Sequence, residues 1–111
     1  MVTALPAVEI VSGEQHKVLH LRGPLGLANG RGLRDAALKM AVSPTGADAT
    51  GRIHINASEL ETTDVAIVQV LAAMHAESTR RGRTMEVTGL RDAVQKEWLA
   101  AGWESFPIGA N

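Results

Sequence analysis

The chain of 111 residues is 45% hydrophobic and 21% charged, with a formal net charge of −1, which predicts a single domain with one hydrophobic core. The near-neutral charge gives no basic excess for nucleic-acid binding, and two tryptophans and one phenylalanine are too few for a base-stacking platform. Cysteine is absent, which excludes disulfides, thiolate zinc sites and cysteine nucleophiles. No apolar run approaches the roughly 20 residues of a membrane-spanning helix, and the N-terminus lacks the segments of a secretory signal. We therefore expect a cytoplasmic protein with no direct membrane insertion.

In the first half of the chain, short alternating runs predict two strands, at residues 8–11 and 17–21, joined by a turn. The Gly-Pro pair at 23–24 is expected to end the second strand. A helix is predicted to begin near residue 28, because apolar residues recur after it at helical spacing. These residues are Leu33, Ala36, Ala37 and Met40. Small residues over 43–51 then predict a loop.

In the second half, residues 53–56 predict a short central strand, followed by a polar loop that ends at Asp64. A strongly apolar helix is predicted over 64–78, a strand over 83–88 and a last helix over 90–101. The last helix has apolar residues stacked on one face, namely Leu90, Val94 and Trp98.

The predicted order is therefore strand, strand, helix, strand, helix, strand, helix. This alternation predicts an α/β fold with about four strands in a mixed sheet, parallel strands joined by right-handed crossovers, and helices packed on the sheet. The whole chain, residues 1–111, is expected to form one domain with its core over about 8–102.

Three segments carry a resemblance to a known family. They are residues 23–38, residues 55–64 (Ile-Asn-Ala-Ser-Glu-Leu-Glu-Thr-Thr-Asp), and Val68-Gln69-Val70-Leu71 followed by Arg81-Gly82-Arg83. In this order and at these spacings, the segments resemble the STAS domain, the fold shared by sulfate-transporter tails and anti-sigma-factor antagonists. The resemblance implies a STAS-like fold and a regulatory module that binds protein and is not an enzyme.

The resemblance also implies a partner-binding surface at the loop and helix start over 58–67. Its candidate residues are Ser58, Thr62, Thr63, Asp64, Val65, Ala66 and Ile67. In related anti-sigma-factor antagonists, the residue after the matching aspartate is a serine or threonine that a partner kinase phosphorylates. Here that position is Val65, which has no hydroxyl, and Asn56 replaces the acidic residue that the family often has at the strand end. We therefore expect a domain without the usual phosphorylation switch.

Each of these residues also has a purely structural explanation. Asp64 either contacts a partner or simply caps the helix by accepting backbone N–H bonds. Ser58, Thr62 and Thr63 either replace the missing phosphoacceptor or fill ordinary turn and cap roles. Residues 65–67 are either an exposed docking patch or core, and partial exposure is favoured because the apolar sector of the helix is too wide for one buried face.

No cofactor or metal is predicted. The four histidines lack a recognised ligand spacing with a third ligand nearby; they are His16, His20, His54 and His75. The glycine-rich stretch at 23–32 fits neither the P-loop nor the dinucleotide-binding pattern. No nucleophile, base and acid can be assigned to an active site.

The resemblance implies two kinds of protein partner. The first is a kinase-like anti-sigma factor. The alternative is the ATPase subunit of an ABC-type phospholipid transport system, because small STAS proteins that serve as accessory subunits there often share the glutamine found here at Gln69. A homodimer is a further expectation, through apolar residues after the last helix that either pair two chains or pack back on the core. They are Trp103, Phe106 and Ile108.

Overall fold

A computed structural model describes residues 5–102 of the chain. Residues Trp103, Phe106 and Ile108, on which the homodimer prediction depends, lie outside the described residues. The strands and helices follow the predicted order, with one turn of 3-10 helix (Leu27–Asn29) before the first α-helix. The elements are β1 (Val8–Ser12), β2 (Lys17–Leu25), α1 (Gly30–Val42), β3 (Arg52–Thr63), α2 (Val65–Arg80), β4 (Thr84–Thr88) and α3 (Asp92–Ala100).

The four strands form one mixed sheet in the order β1-β2-β3-β4. A short turn joins β1 to β2, so this pair is antiparallel. The β2–β3 and β3–β4 pairs are parallel, because α1 and α2 return the chain to the same end of the sheet between them. The predicted α/β fold with a four-stranded mixed sheet is therefore confirmed.

One face of the sheet carries the hydrophobic core. Alternate residues of β2, β3 and β4 point into it and are buried: Leu19, Leu21, Ile53, Ile55, Ala57, Met85 and Val87. Most buried residues of the three helices belong to the same cluster, so all three helices cover this face. On the opposite face, the intervening strand residues are mostly polar and half-buried or exposed, as at His54, Asn56 and Glu86. No described helix covers that face.

The predicted end of β2 at residues 23–24 is wrong, because β2 continues through Pro24 to Leu25. Two register shifts accommodate this extension, and Gly23 adopts a positive φ of 67° between them. β1 pairs with β2 only as far as Leu21. Pro24 therefore lies where one side of β2 is unpaired, and its missing N–H costs no ladder bond on that side.

The predicted polar loop after residue 56 is wrong for the same reason. β3 runs for 12 residues to Thr63, and its second half pairs with the extension of β2, from Arg22↔Glu59 to Leu25↔Thr63. The chain therefore reaches the start of α2 as sheet, with a single residue, Asp64, between the two elements.

The C-terminal end of α1 is held by the side chain of Arg83, the residue just before β4. Arg83 Nη1 donates hydrogen bonds of 2.9 Å to the backbone carbonyls of both Met40 and Ala41. A guanidinium suits this position, because the last carbonyls of a helix are unpaired and carry partial negative charge. Arg83 is half-buried in this position, whereas Arg80 and Arg81 are exposed. Within residues 5–102, no helix has the length and apolar character needed to cross a membrane.

Candidate functional site

Asp64 caps the N-terminus of α2. Its backbone is extended, with φ −98° and ψ 176°, and its carboxylate Oδ1 accepts a hydrogen bond of 3.1 Å from the Ile67 backbone N–H. Its own N–H donates to the carbonyl of Leu25, at 3.3 Å, so the cap is attached to the end of β2. The structural explanation of Asp64 is therefore confirmed, while its carboxylate remains on the surface.

The first turn of α2 divides the three apolar candidates between solvent and core. The Val65 side chain is 56% exposed, Ala66 is half-buried, and Ile67 is completely buried. Successive residues of a helix point about 100° apart, so three in a row cannot share one face. Exposure is therefore confirmed for Val65, while the expectation that Ile67 is part of an exposed patch is wrong.

Thr63 is largely buried against α3, with 8% of its surface exposed. Its hydroxyl accepts a hydrogen bond of 2.7 Å from the indole Nε1–H of Trp98, and both side chains are in the interior. The contact joins the end of β3 to the last helix. Little of Thr63 reaches the surface, so its hydroxyl is explained by this structural role.

The two remaining hydroxyl candidates are exposed but lie apart. Thr62 Oγ1 donates a hydrogen bond of 2.7 Å to the carboxylate of Glu97 on α3. Ser58 lies four positions earlier on β3, and its N–H and hydroxyl both donate to Asn56 Oδ1, at 2.9 and 2.7 Å. Thr62 therefore borders the start of α2, whereas Ser58 is a strand residue held by its own neighbour.

Leu27, in the 3-10 turn, is an exposed residue that the sequence patterns missed. Its side chain is 77% exposed, and it lines the same surface groove as Ala66. The preceding Gly26 is close enough to the cap that a Cβ there would lie 3.4 Å from Asp64 Oδ2. One feature of the sequence could have indicated this exposure. Leu27 is the single large apolar residue in the segment from Gly26 to Gly30.

We call the exposed and half-buried residues at this end of the sheet the tip surface: Leu27, Thr62, Asp64, Val65 and Ala66. It combines two uncovered apolar side chains with an acidic cap. On the α3 side of Val65, a shallow hollow of about 390 Å³ opens between the start of α2 and the end of α3. The arrangement can bind a complementary surface, but it brings together no nucleophile, base and acid.

His54, on the open face of the sheet, contacts the loop before β3, and His16 lies next to it. His54 Nε2 lies 2.7 Å from Asp48 Oδ2, and the His16 ring lies 4.7 Å from the His54 ring. Hydrogen bonds from the Thr50 hydroxyl, His54 and the Arg52 N–H lower the pKa of the Asp48 carboxyl well below its usual value. Among the described residues, no three His, Asp or Glu side chains lie together as metal ligands would.

Replacing Asp64 with alanine is expected to lower the free energy of unfolding by about 1 kcal/mol, because the first turn of α2 loses its side-chain acceptor. Asp64→Asn keeps an acceptor oxygen at the same place and serves as the control, with a loss of less than half as much. Urea denaturation followed by circular dichroism measures both. Equal losses in the two variants would mean that the charge, not the hydrogen bond to Ile67, carries the effect.

Residues 8–108 match the family model described as "Mlab, STAS domain". The fold is similar to that of a variant of Moorella thermoacetica RsbS, at 18% identity and a TM-score of 0.68, over 96% of this chain and 88% of that chain. It is also similar to the anti-sigma factor antagonist SpoIIAA in its unphosphorylated form, at 13% identity and a TM-score of 0.69, over 95% of this chain and 89% of that chain.

A third similar structure is SLC26A9, at 16% identity and a TM-score of 0.61, over 79% of this chain and 16% of that chain. A comparison with curated protein sequences gives no match. Structural similarity at such low identity shows a shared fold and not a shared partner. The family model, by contrast, spans nearly the whole sequence, and on that ground the chain belongs to the STAS domain family.

Proposed function

We propose that this domain is a non-catalytic regulatory module that binds a protein partner through the tip surface, in the manner of an anti-sigma-factor antagonist. The observation that carries the proposal is the 56% exposure of Val65 directly after the Asp64 cap. An apolar side chain left uncovered at a helix start, beside a second one at Leu27, is typical of an interaction site. The similarity of the fold to those of RsbS and the anti-sigma factor antagonist SpoIIAA supports this proposal.

We further propose that the module works without a phosphorylation switch at this site. Val65 occupies the position that the family resemblance assigns to the phosphoacceptor, and it cannot be phosphorylated. The neighbouring hydroxyls are poor replacements. A phosphate on Thr62 would be placed against the carboxylate of Glu97, 2.7 Å from the present hydroxyl, and the two negative charges would repel. Thr63 is buried and hydrogen-bonded to Trp98.

The test is the replacement of Val65 with aspartate. An acidic residue in the first turn of a helix is favoured by the helix dipole, so the variant is expected to fold with unchanged or slightly higher stability. Binding of the partner is expected to weaken tenfold or more, because a charge replaces the exposed apolar contact. Val42→Asp is the matched control: Val42 is 48% exposed and lies at the opposite end of α1, about 18 Å from its start.

Tagged wild-type protein and both variants are used for affinity capture from the native cell, with quantitative mass spectrometry of the bound proteins. A partner that is lost with Val65→Asp and retained with Val42→Asp supports the proposal. If every specifically captured protein binds the Val65→Asp variant as well as the wild type, the tip surface is not the docking site.

A second candidate partner is the ATPase subunit of an ABC-type phospholipid transport system, with this domain as its accessory subunit. The match to the family described as "Mlab, STAS domain" favours this candidate. Capture from detergent-solubilised membranes separates the two: co-purification of a transport ATPase supports the accessory subunit, whereas a kinase-like partner in the membrane-free fraction supports the antagonist.

A further inference from the structure

A groove of about 550 Å³ runs between α1 and α2 on the side of these helices that faces away from the sheet. It begins beside the tip surface, where Leu27 and Ala66 line it, and ends near Glu77. From Gly30 to Ala41, α1 advances eleven residues, or about 16 Å. The groove is therefore as long as about three turns of a helix.

The lining of the groove is suited to the close approach of another backbone. Much of it consists of residues with little or no side chain: Gly30, Ala37, Ala41, Ala66 and Ala73. Larger apolar groups border it, and Leu38 is 56% exposed on the α1 side. Two neighbouring helices with small residues between them leave space for a third helix at the usual interaxial distance of about 8–10 Å.

The charges along the groove differ between its two ends. Arg31 and Arg34 line it on α1 and are exposed, and within residues 5–102 neither forms an ion pair or a side-chain hydrogen bond. At the other end, Arg80 and Arg81 each place a guanidinium nitrogen 2.9 Å from the Glu77 carboxylate. Among the described residues, the groove thus has two arginines without an ion-pair partner at the end beside the tip surface, and a carboxylate paired with two arginines at its far end.

We propose that the groove binds an amphipathic helix of a partner protein, about three turns long, that places acidic side chains against Arg31 and Arg34. The two arginines are three residues apart on α1, so they present their charges about one turn apart. Acidic residues at a spacing of three or four on the partner helix match them, and its apolar stripe covers Leu27 and Leu38. This surface extends beyond the tip surface and can be tested separately from it.

The probe is a displayed library of helical peptides of about 14 residues, selected against the purified wild-type protein. Selected sequences are expected to combine an apolar stripe with Asp or Glu at a spacing of three or four. Synthetic versions of these peptides are then titrated against variants by fluorescence anisotropy. Arg34→Glu and Leu38→Glu, two exposed positions whose replacement leaves the core intact, are each expected to weaken binding tenfold or more.

Leu99→Glu is the control, because Leu99 is 47% exposed on α3 and does not line the groove, and it is expected to change peptide affinity less than twofold. The proposal is overturned if selection enriches no acidic helical peptide, or if the selected peptides bind Arg34→Glu as tightly as the wild type. It is also overturned if the wild type sediments as a dimer that Leu38→Glu dissociates, which would identify a second copy as the occupant. Binding of anionic phospholipid vesicles that Arg34→Glu abolishes, in the absence of peptide binding, would identify a lipid instead.

Discussion

Replacing Trp98 with alanine is expected to lower the free energy of unfolding by about 3–5 kcal/mol, the range for removing a large buried aromatic side chain. Trp98 is 1% exposed and is among the largest fully buried side chains of the domain. The replacement leaves a cavity between α3 and the end of β3, and it also leaves the Thr63 hydroxyl without the indole N–H that donates to it at 2.7 Å. Urea denaturation followed by far-ultraviolet circular dichroism measures the loss.

Two further variants separate the contributions at this position. Trp98→Phe keeps most of the apolar contact but removes the donor to Thr63, and it is expected to cost about 1–3 kcal/mol. Leu99→Ala changes the next residue of α3, which is exposed, and is expected to cost less than about 0.5 kcal/mol. A Trp98→Ala loss no larger than that of Leu99→Ala would mean that α3 does not pack against β3 as described.

Replacing Gly89 with alanine is expected to cost about 3 kcal/mol, from two separate causes. Gly89 has a φ of +75°, a conformation that a residue with a Cβ adopts at a cost. The added Cβ would also lie 2.8–2.9 Å from the Ser58 Cβ, Cα and N atoms. Since these include backbone atoms of a central strand, they cannot move aside without disturbing the sheet.

Gly82 provides the matched control for Gly89. It has the same φ of +75°, but a Cβ there meets no atom within 4 Å. Gly82→Ala is therefore expected to cost only the conformational part, about 1–2 kcal/mol, and the difference between the two variants measures the overlap with Ser58. Equal losses in the two variants would show that the turn after β4 can move away from Ser58 without lowering stability. The close approach of Gly89 to β3 would then not be important for stability.

The order of the elements was predictable because the signals for it are local. Alternation around Leu19 and Leu21 predicts one buried face of a strand, and both residues are buried. The spacing of Leu90, Val94 and Trp98 predicts the buried side of the last helix. Val94 and Trp98 are buried on α3, and Leu90, which lies just before α3, is buried as well. Such patterns depend on the residue itself and on neighbours one or two turns away, so they can be read from a single sequence.

The second half of β3 was not predictable, because its burial pattern departs from strict alternation. Ser58 and Glu59 are both exposed, Leu60 is buried, and two more exposed residues precede Thr63. In isolation this stretch resembles a polar loop. It becomes a strand because the extension of β2, more than 30 residues earlier, pairs with it across two register shifts, and no local pattern reports such a partner.

The candidate site was predictable only in part, for similar reasons. The Asp64 cap follows from a short acidic residue before an apolar helix, which is a local signal. The burial of Thr63 depends on Trp98, 35 residues later in the chain. The exposure of Leu27 depends on how the 3-10 turn is placed beside α2. The burial of Thr63 and the exposure of Leu27 therefore depend on tertiary contacts, which cannot be read from the composition of the chain or the spacing of its apolar residues.

The pairing of β3 up to Thr63 has a thermodynamic consequence for any partner that binds the tip surface. A free loop of the length first expected after residue 56 would have to become ordered on association, at about 1–2 kcal/mol for each residue fixed. Here the ladder between β2 and β3 has already fixed that backbone during folding, so the entropic penalty is absent from the binding equilibrium. Recognition is then expected to proceed nearly as a rigid-body encounter, with little backbone rearrangement on docking.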